Sequence, residues 1–162
     1  MPSTPQIFQA AQVADLVGIR EARLAKFVES PGYGIVPSLR QSPGKGIPRL
    51  YTINDLMAIA LAWWLFQAGF RSQVIGRVLK NKSLRSTLLQ SQDWETQDAA
   101  NRFLIVRRNI VGAEGLHHEV IVATRAETIA AVQSDYEHAL QVLPVGTLLK
   151  AIWDKLRKER EE

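Results

Sequence analysis

The chain has 162 residues, no cysteine and a net charge of +4, and 46% of its residues are hydrophobic. This length suits one ordinary domain or two small ones. The lack of cysteine excludes disulfides, zinc ribbons and thiolate nucleophiles. No charged leader with a cleavage site opens the chain. The longest apolar run, residues 56–66, has 11 residues, whereas a membrane span needs ~20. We therefore expect a cytoplasmic protein that does not cross a membrane.

The positive charge is concentrated in the first half of the chain. Residues 1–90 carry eleven Lys and Arg against four Asp and Glu, whereas residues 91–162 carry nine against twelve. A basic excess confined to one half is expected when that half alone approaches a polyanion. The alternative is a chance excess on a solvated surface.

The segment QVADLVGIREARL, residues 12–24, has the spacing of a helix-turn-helix. Ala14 allows close helix crossing, Gly18 follows four residues later at the turn, and Leu24 anchors the second helix. Apolar residues at positions i, i+3 and i+4 give each helix an inward face. These residues are Val13, Leu16 and Val17 in the first helix, and Leu24, Phe27 and Val28 in the second. Any helical hairpin could share this apolar spacing.

Basic residues occupy the open side of the second helix. Arg23 and Lys26 lie on that side, and Arg20 lies in its first turn. A helix with one face in a core and a basic face towards solvent is typical of elements that meet phosphates or base edges. These three residues are therefore predicted to contact DNA.

A segment rich in Pro, Gly and Ser follows, and it ends at Pro48. Such a segment cannot form a helix interior or a central strand. Short strands at 35–36 and 50–51, with a turn at 42–46, would form a two-stranded flap. A basic flap directly after a helix-turn-helix favours a wing along a DNA backbone, and a plain surface loop is the alternative. The basic residues of the flap are Arg40, Lys45 and Arg49.

The next predicted helix opens at Thr52 and Asp55 with a capping pattern, and it ends at Gly69. Its apolar residues cover almost the whole circumference, so it must be buried on more than one side. A short helix from Ser72 follows, and its inward residues are Val74, Ile75, Val78 and Leu79.

The second half begins with a predicted linker region that contains some helix, residues 81–101. The β-rich runs 103–106 and 120–122 indicate a hairpin. A helix is predicted over 126–141, with Ile129, Val132, Tyr136 and Leu140 on one stripe, and a terminal helix is predicted from Thr147. The predicted fold is mainly α with small β elements. It has a winged helix-turn-helix at 1–80 and a β-hairpin and two-helix dimerisation or interaction region at 102–162.

Residues 9–80 resemble the DNA-binding domain of the MerR family of bacterial transcriptional regulators. The segment VADLVGI matches, with Leu24 and Phe27 where the family has a leucine and a tyrosine. Arg49-Leu50-Tyr51 matches the family's Arg-x-Tyr at the end of the wing. The helix from Asp55 to Gly69-Phe70 matches the family's Asp through Gly-Phe.

This resemblance implies a DNA-binding regulator whose second helix enters the major groove, with Arg23 and Lys26 as its contacts. It implies that Arg49 and Tyr51 hold phosphates, and that a homodimer bends and twists a pseudo-palindromic operator. RNA polymerase at the promoter is a further expected partner. The family usually keeps a basic residue at the position of Phe66.

The terminal helix is predicted to form the dimer interface, because a single winged domain contacts too few base pairs for specific recognition. The alternative is that its apolar stripe folds back on its own domain. The stripe consists of Leu148, Leu149, Ile152, Trp153 and Leu156.

Other functions have less support in the sequence. No nucleophile elbow, phosphate loop or paired-carboxylate motif is visible, so neither an enzyme nor a cofactor is expected. His117 and His118 would point to opposite faces of an extended segment, and no third ligand is spaced to join them in a metal site. The alternatives are a phage- or plasmid-type DNA-binding accessory factor, excisionase-like or partition-like, or a protein-interaction module.

Overall fold

A computed structural model describes residues 6–35, 48–85, 100–109, 117–134 and 139–161. The described part is mainly helical with small antiparallel sheets, as predicted. The first elements are β1 (Ile7–Gln9), α1 (Ala10–Val17), α2 (Glu21–Glu29), β2 (Leu50–Thr52), α3 (Ile53–Gln67) and α4 (Ser72–Lys80). The later elements are α5 (Lys82–Leu84), β3 (Arg102–Asn109), β4 (His117–Thr124), α6 (Arg125–Ser134), β5 (Ala139–Leu143) and α7 (Val145–Glu161). No helix of these ranges is long and apolar enough to cross a bilayer.

The chain divides into two compact units. Unit 1 comprises Met1–Lys80 together with Asp154–Glu162, and unit 2 comprises Asn81–Trp153. The division falls after Lys80, and the end of α7 belongs to unit 1. There the Lys155 ammonium donates to the Leu16 carbonyl at 3.4 Å, where the negative end of the α1 dipole favours a cation.

The turn between α1 and α2 depends on Gly18, whose φ of +75° is unfavourable for residues with a Cβ. The amides of Gly18 and Ile19 both donate to the Ala14 carbonyl at 2.9 Å, which satisfies the end of α1. Most of the predicted inward residues are confirmed as core. The buried ones are Val13, Ala14, Leu16, Leu24 and Phe27.

β2 has a partner that the sequence did not predict. It pairs antiparallel with β1, with Phe8 opposite Tyr51. Phe8 and Ile35 are both buried. Of the strand predicted at 35–36, only Ile35 lies within the described residues, so its predicted pairing with β2 stays a prediction. The remainder of the predicted wing, including Arg40 and Lys45, lies outside the described residues.

Both ends of α3 are confirmed. The Asp55 amide donates to the Thr52 hydroxyl at 3.2 Å, and the Thr52 amide donates to the Asp55 carboxylate at 2.8 Å. Together these bonds form a capping box. At the other end Gly69 has a φ of +87°, and the Phe70 amide donates to the Leu65 carbonyl. α3 is the central core helix of unit 1, with Leu56, Ile59, Leu61 and Leu65 fully buried.

Unit 2 contains a three-stranded antiparallel sheet in the order β4-β3-β5. The predicted hairpin is confirmed, since Ile105 pairs with Ile121 across β3 and β4. The helix predicted over 126–141 is wrong at its C-terminal end, because α6 ends at Ser134 and residues 139–143 form β5. Val142 of β5 pairs with Ile105 on the other edge of β3.

The apolar residues predicted on one stripe of this helix do not form a buried face of α6. Ile129 and Val132 are each 51% exposed, whereas Thr128 is buried. The hydroxyl of Thr128 donates to the Thr124 carbonyl one turn earlier, at 2.8 Å. Tyr136 lies outside the described residues, and Leu140 lies half-buried in β5.

The described part of the predicted linker is structured and belongs to unit 2. The Asn81 side chain accepts a hydrogen bond from the Leu84 amide at 3.1 Å and donates to the Val120 carbonyl at 3.3 Å. Leu84 is fully buried. The short helix α5 is therefore held by β4, and residues 86–99 lie outside the described ranges.

Candidate nucleic-acid interface

The outward face of α2 carries the basic residues that the sequence predicted. Leu24 and Phe27 are 1% and 0% exposed on the inward face. Arg20, Arg23 and Lys26 are all exposed. This alternation follows from helical periodicity, because residues three apart share a face. The core therefore fixes the helix while leaving the three cations available to a ligand.

An aromatic cluster supports this face from below, and we define it as Phe27, Tyr33, Trp63 and Phe66. The rings of Trp63 and Phe66 stack with centroids 5.8 Å apart and an interplanar angle of 14°. Phe27 meets Phe66 edge to face at 5.8 Å and Tyr33 at 4.7 Å. Offset and edge-to-face contacts are the arrangements that aromatic rings prefer. The cluster joins α2 to α3 and to the turn after α2.

Arg23 contacts this cluster directly. Its guanidinium carbon lies 4.8 Å from the centroid of the Phe66 ring, within the range of a cation–π interaction. Lys26, one turn later on the same face, has no such ring contact within the described residues. The sequence did not predict the contact of Phe66 with Arg23, because the two residues lie 43 positions apart.

Arg49 lies beside the C-terminal end of α2. Its Nη2 atom is 3.0 Å from the Glu29 carboxylate, and the side chains of Arg49 and Glu29 are 21% and 61% exposed. Arg49 also hydrogen-bonds the side chain of Tyr51, of which 1% is exposed. Of the two predicted phosphate contacts, Arg49 is thus the accessible one, and Tyr51 lies beneath it.

The Tyr51 side chain is buried, and its charged neighbours are Arg49, Asp55 and Glu29. Burial raises the pKa of the Tyr51 hydroxyl above its ordinary value of 10.0, and the charge and hydrogen bond of Arg49 oppose that rise. The phenol is therefore neutral at physiological pH. It acts as a buried hydrogen-bonding group for the guanidinium of Arg49.

A surface cavity of about 390 Å³ lies along the same end of α2. Its lining combines two cations with one carboxylate and aromatic surface. The carboxylate, Glu29, was not predicted as part of this face, although it lies three residues after Lys26 and so on the same side of the helix. The lining residues are Arg23, Lys26, Phe27, Glu29, Ser30 and Tyr33.

The apolar stripe of α7 is largely covered by its own chain. Leu149, Ile152 and Leu156 are 0%, 5% and 3% exposed, while Leu148 and Trp153 are half-buried. Packing within one chain therefore accounts for these three residues without a second copy. The homodimer predicted from the sequence stays a prediction.

Unit 2 has a surface cavity of about 430 Å³ at the start of α6, lined by Asn101, Arg102, Thr124, Arg125 and Ala126. The Glu127 carboxylate accepts hydrogen bonds from the Thr124 amide and hydroxyl, which lower the pKa of Glu127. This capping box already satisfies the helix start.

Among the described residues, no group of three or more His, Asp or Glu side chains is placed to hold a metal ion.

Comparison of the chain with models of protein families and with curated protein sequences gives no match.

Proposed function

We propose that this chain binds double-stranded DNA sequence-specifically and acts as a bacterial transcriptional regulator similar to the MerR family. The observation that carries the proposal is the α2 face, where exposed Arg23 and Lys26 stand on a helix anchored in the core. Exposed Arg20 lies at the N-cap of this helix. A helix of this kind fits the major groove. In this proposal, unit 1 is a winged helix-turn-helix domain and α2 is its recognition helix.

The cations have two different roles in the proposed complex. Arg49, beside the C-terminal end of α2, contacts a phosphate and positions the protein without reading sequence. Arg23 and Lys26 face the groove, and Arg20 lies at the N-terminal end of the same helix. Tyr51 supports Arg49 from the protein interior.

The test is duplex binding by the full chain, measured by fluorescence anisotropy over a range of salt concentrations. Affinity should fall with salt with a log–log slope of roughly −0.9 per phosphate neutralised. Arg49→Ala should weaken specific and random duplexes about equally and flatten the slope by ~1. Arg23→Ala should instead reduce discrimination by ~1–3 kcal/mol at particular base pairs.

Arg77→Ala is the matched control, because it removes an exposed charge from α4 of the same unit. Arg77→Ala should change the salt slope less than Arg49→Ala does. It should also change the discrimination between sequences less than Arg23→Ala does. Failure of the wild-type chain to bind any duplex would overturn the proposal and favour a protein-interaction module. Specific sites that are not linked to promoters would favour an accessory factor over a regulator.

The proposal includes a homodimer, since two-fold symmetry doubles the number of base pairs that are read. Light scattering at tens of micromolar should give twice the mass of the chain, and a monomer would remove this part of the proposal. Charged substitutions at Leu149 or Ile152 do not test it, because both side chains are buried within the chain and their replacement would unfold it.

A further inference from the structure

We infer that Phe66 is a positioning residue that makes Arg23 the principal base-reading side chain of α2, directed at a guanine in the major groove. This inference rests on the proposed function. It adds to that function the kind of base pair that is read and a residue that does not itself touch DNA.

The two central cations of α2 have different surroundings. Arg23 and Lys26 are both exposed, but only Arg23 lies over an aromatic ring within the described residues. The ring of Phe66 is itself fixed, because it stacks on Trp63 and meets the buried Phe27 edge to face. Arg23 is thus held by a rigid surface, whereas Lys26 has no such ring contact in the described part of the chain.

Holding Arg23 in this way favours binding for an entropic reason. Immobilising a free, rotamer-rich side chain on binding costs about two- to tenfold in affinity, and an ordered side chain avoids most of this cost. The cation–π contact uses the guanidinium charge and leaves its N–H groups available. No hydrogen bond to the Arg23 guanidinium occurs within the described ranges of the chain.

The chemistry of the guanidinium identifies the base. Arginine presents N–H donors in a rigid planar fork, and guanine presents the two acceptors O6 and N7 side by side in the major groove. Lysine has a flexible stem and a point charge, which suits a phosphate better than a paired acceptor. Arg23 therefore reads the base and Lys26 contacts the backbone.

The experiment begins with selection of the preferred duplex from a random pool by the wild-type protein. Each guanine of that duplex is then replaced in turn by 7-deazaguanine, which lacks the N7 acceptor. For the wild type, one replacement should weaken binding about five- to tenfold, as expected for loss of part of a bidentate contact. Arg23→Ala should abolish the penalty at that same guanine.

The Phe66 variants separate positioning from a purely structural role. Phe66→Leu should reduce the penalty at the same guanine to about twofold or less, with affinity for a random duplex and the salt slope unchanged. Phe66→Tyr keeps a ring beneath Arg23 and should restore the full penalty. Trp63→Leu is the matched control, since it removes a ring from the same cluster but not the one that contacts Arg23.

A second measurement does not depend on whether Phe66→Leu folds. In the free wild-type protein, ¹⁵N relaxation should give the Arg23 Nε–H group an order parameter above about 0.6. Arg20, exposed on the same helix, should give a lower value. Equal values for both arginines would overturn the inference.

The outcomes also separate this inference from the proposed function. A wild type that prefers no sequence would overturn both. If the wild type has a clear sequence preference, but Phe66→Leu keeps the full loss of affinity at the 7-deazaguanine position, the inference alone would be overturned. Loss of affinity by Phe66→Leu for specific and random duplexes alike would likewise assign Phe66 to the fold and not to specificity.

Discussion

The guanidinium of Arg49 lies 3.0 Å from the carboxylate of Glu29, which joins the start of β2 to the end of α2. The Glu29 side chain is 61% exposed, so solvent screens the pair and its contribution to stability is small, at about 0–1 kcal/mol. A phosphate that approaches Arg49 must therefore share the guanidinium with Glu29 or displace it.

Glu29→Gln should strengthen binding to every duplex, because it removes a negative charge that competes with a phosphate for Arg49. We expect a gain of about two- to fivefold at low salt, corresponding to ~0.5–1 kcal/mol. Fluorescence anisotropy with specific and random duplexes measures it. Glu21→Gln is the control, since it makes the same charge change at the other end of α2. If Glu29→Gln binds more weakly than Glu21→Gln, Glu29 positions Arg49 instead of competing for it.

Stability at high pH should depend on Tyr51. Because burial raises its pKa, the unfolded chain loses this proton at a lower pH than the folded chain does. The neutral phenol stabilises the folded state fully below pH 10.0. This stabilisation is lost as the pH rises through the raised pKa of Tyr51. Urea unfolding between pH 8 and 11 should show a smaller alkaline decline for Tyr51→Phe. Parallel declines in the two proteins would contradict this assignment.

The Glu127 carboxyl should titrate below its ordinary value of 4.5, because the Thr124 amide and hydroxyl donate to it at 2.7 and 2.8 Å. The capping box is formed above pH 4.5 and is lost as the pH falls through the lowered pKa. Carboxyl ¹³C NMR measures the midpoint. Thr124→Val removes the hydroxyl donor, so the titration midpoint of Glu127 should rise part of the way towards 4.5. Ser134→Ala, at the other end of α6, should leave it in place.

Gly76→Ala should destabilise unit 1 although glycine is a poor helix former. A Cβ at Gly76 would come within van der Waals overlap of the Gly32 carbonyl oxygen, which is backbone and cannot easily move. The clash should outweigh the gain of ~1 kcal/mol in helix propensity and give a net loss of ~1–3 kcal/mol. Urea unfolding measures the change.

Gly32→Ala is the control for this close approach. Its Cβ would meet the Ser72 hydroxyl at 3.1 Å, and that side chain can rotate away. A smaller loss of stability is therefore expected. If Gly76→Ala were as stable as the wild type, the segment around Gly32 would have to move easily.

The sequence predicted those elements whose determinants are local. Both ends of α3 were predicted because the capping box and the Gly69-Phe70 terminus lie within a few residues of the helix. The exposure of Arg23 and Lys26 followed from helical periodicity alone. These features need no knowledge of the rest of the fold.

The errors concern pairings between distant parts of the chain. The partner of Tyr51 is Phe8, and the partner of Val142 is Ile105. Sequence pattern does not contain the register of such pairings, and residues 139–143 also continued a helical stripe. The Arg49–Glu29 and Arg23–Phe66 contacts were missed for the same reason, since each pair is brought together by the fold.

The membership of α7 in two units affects the order in which the protein can form during synthesis. Unit 1 contains the first 80 residues, but it also contains the chain from Asp154 onwards, where Lys155 meets the end of α1. Domains usually begin to fold from the N-terminus as the ribosome releases them. Here the N-terminal unit cannot be completed until the residues after Trp153 have left the ribosome. A nascent chain stalled before that point would therefore hold an incomplete unit 1.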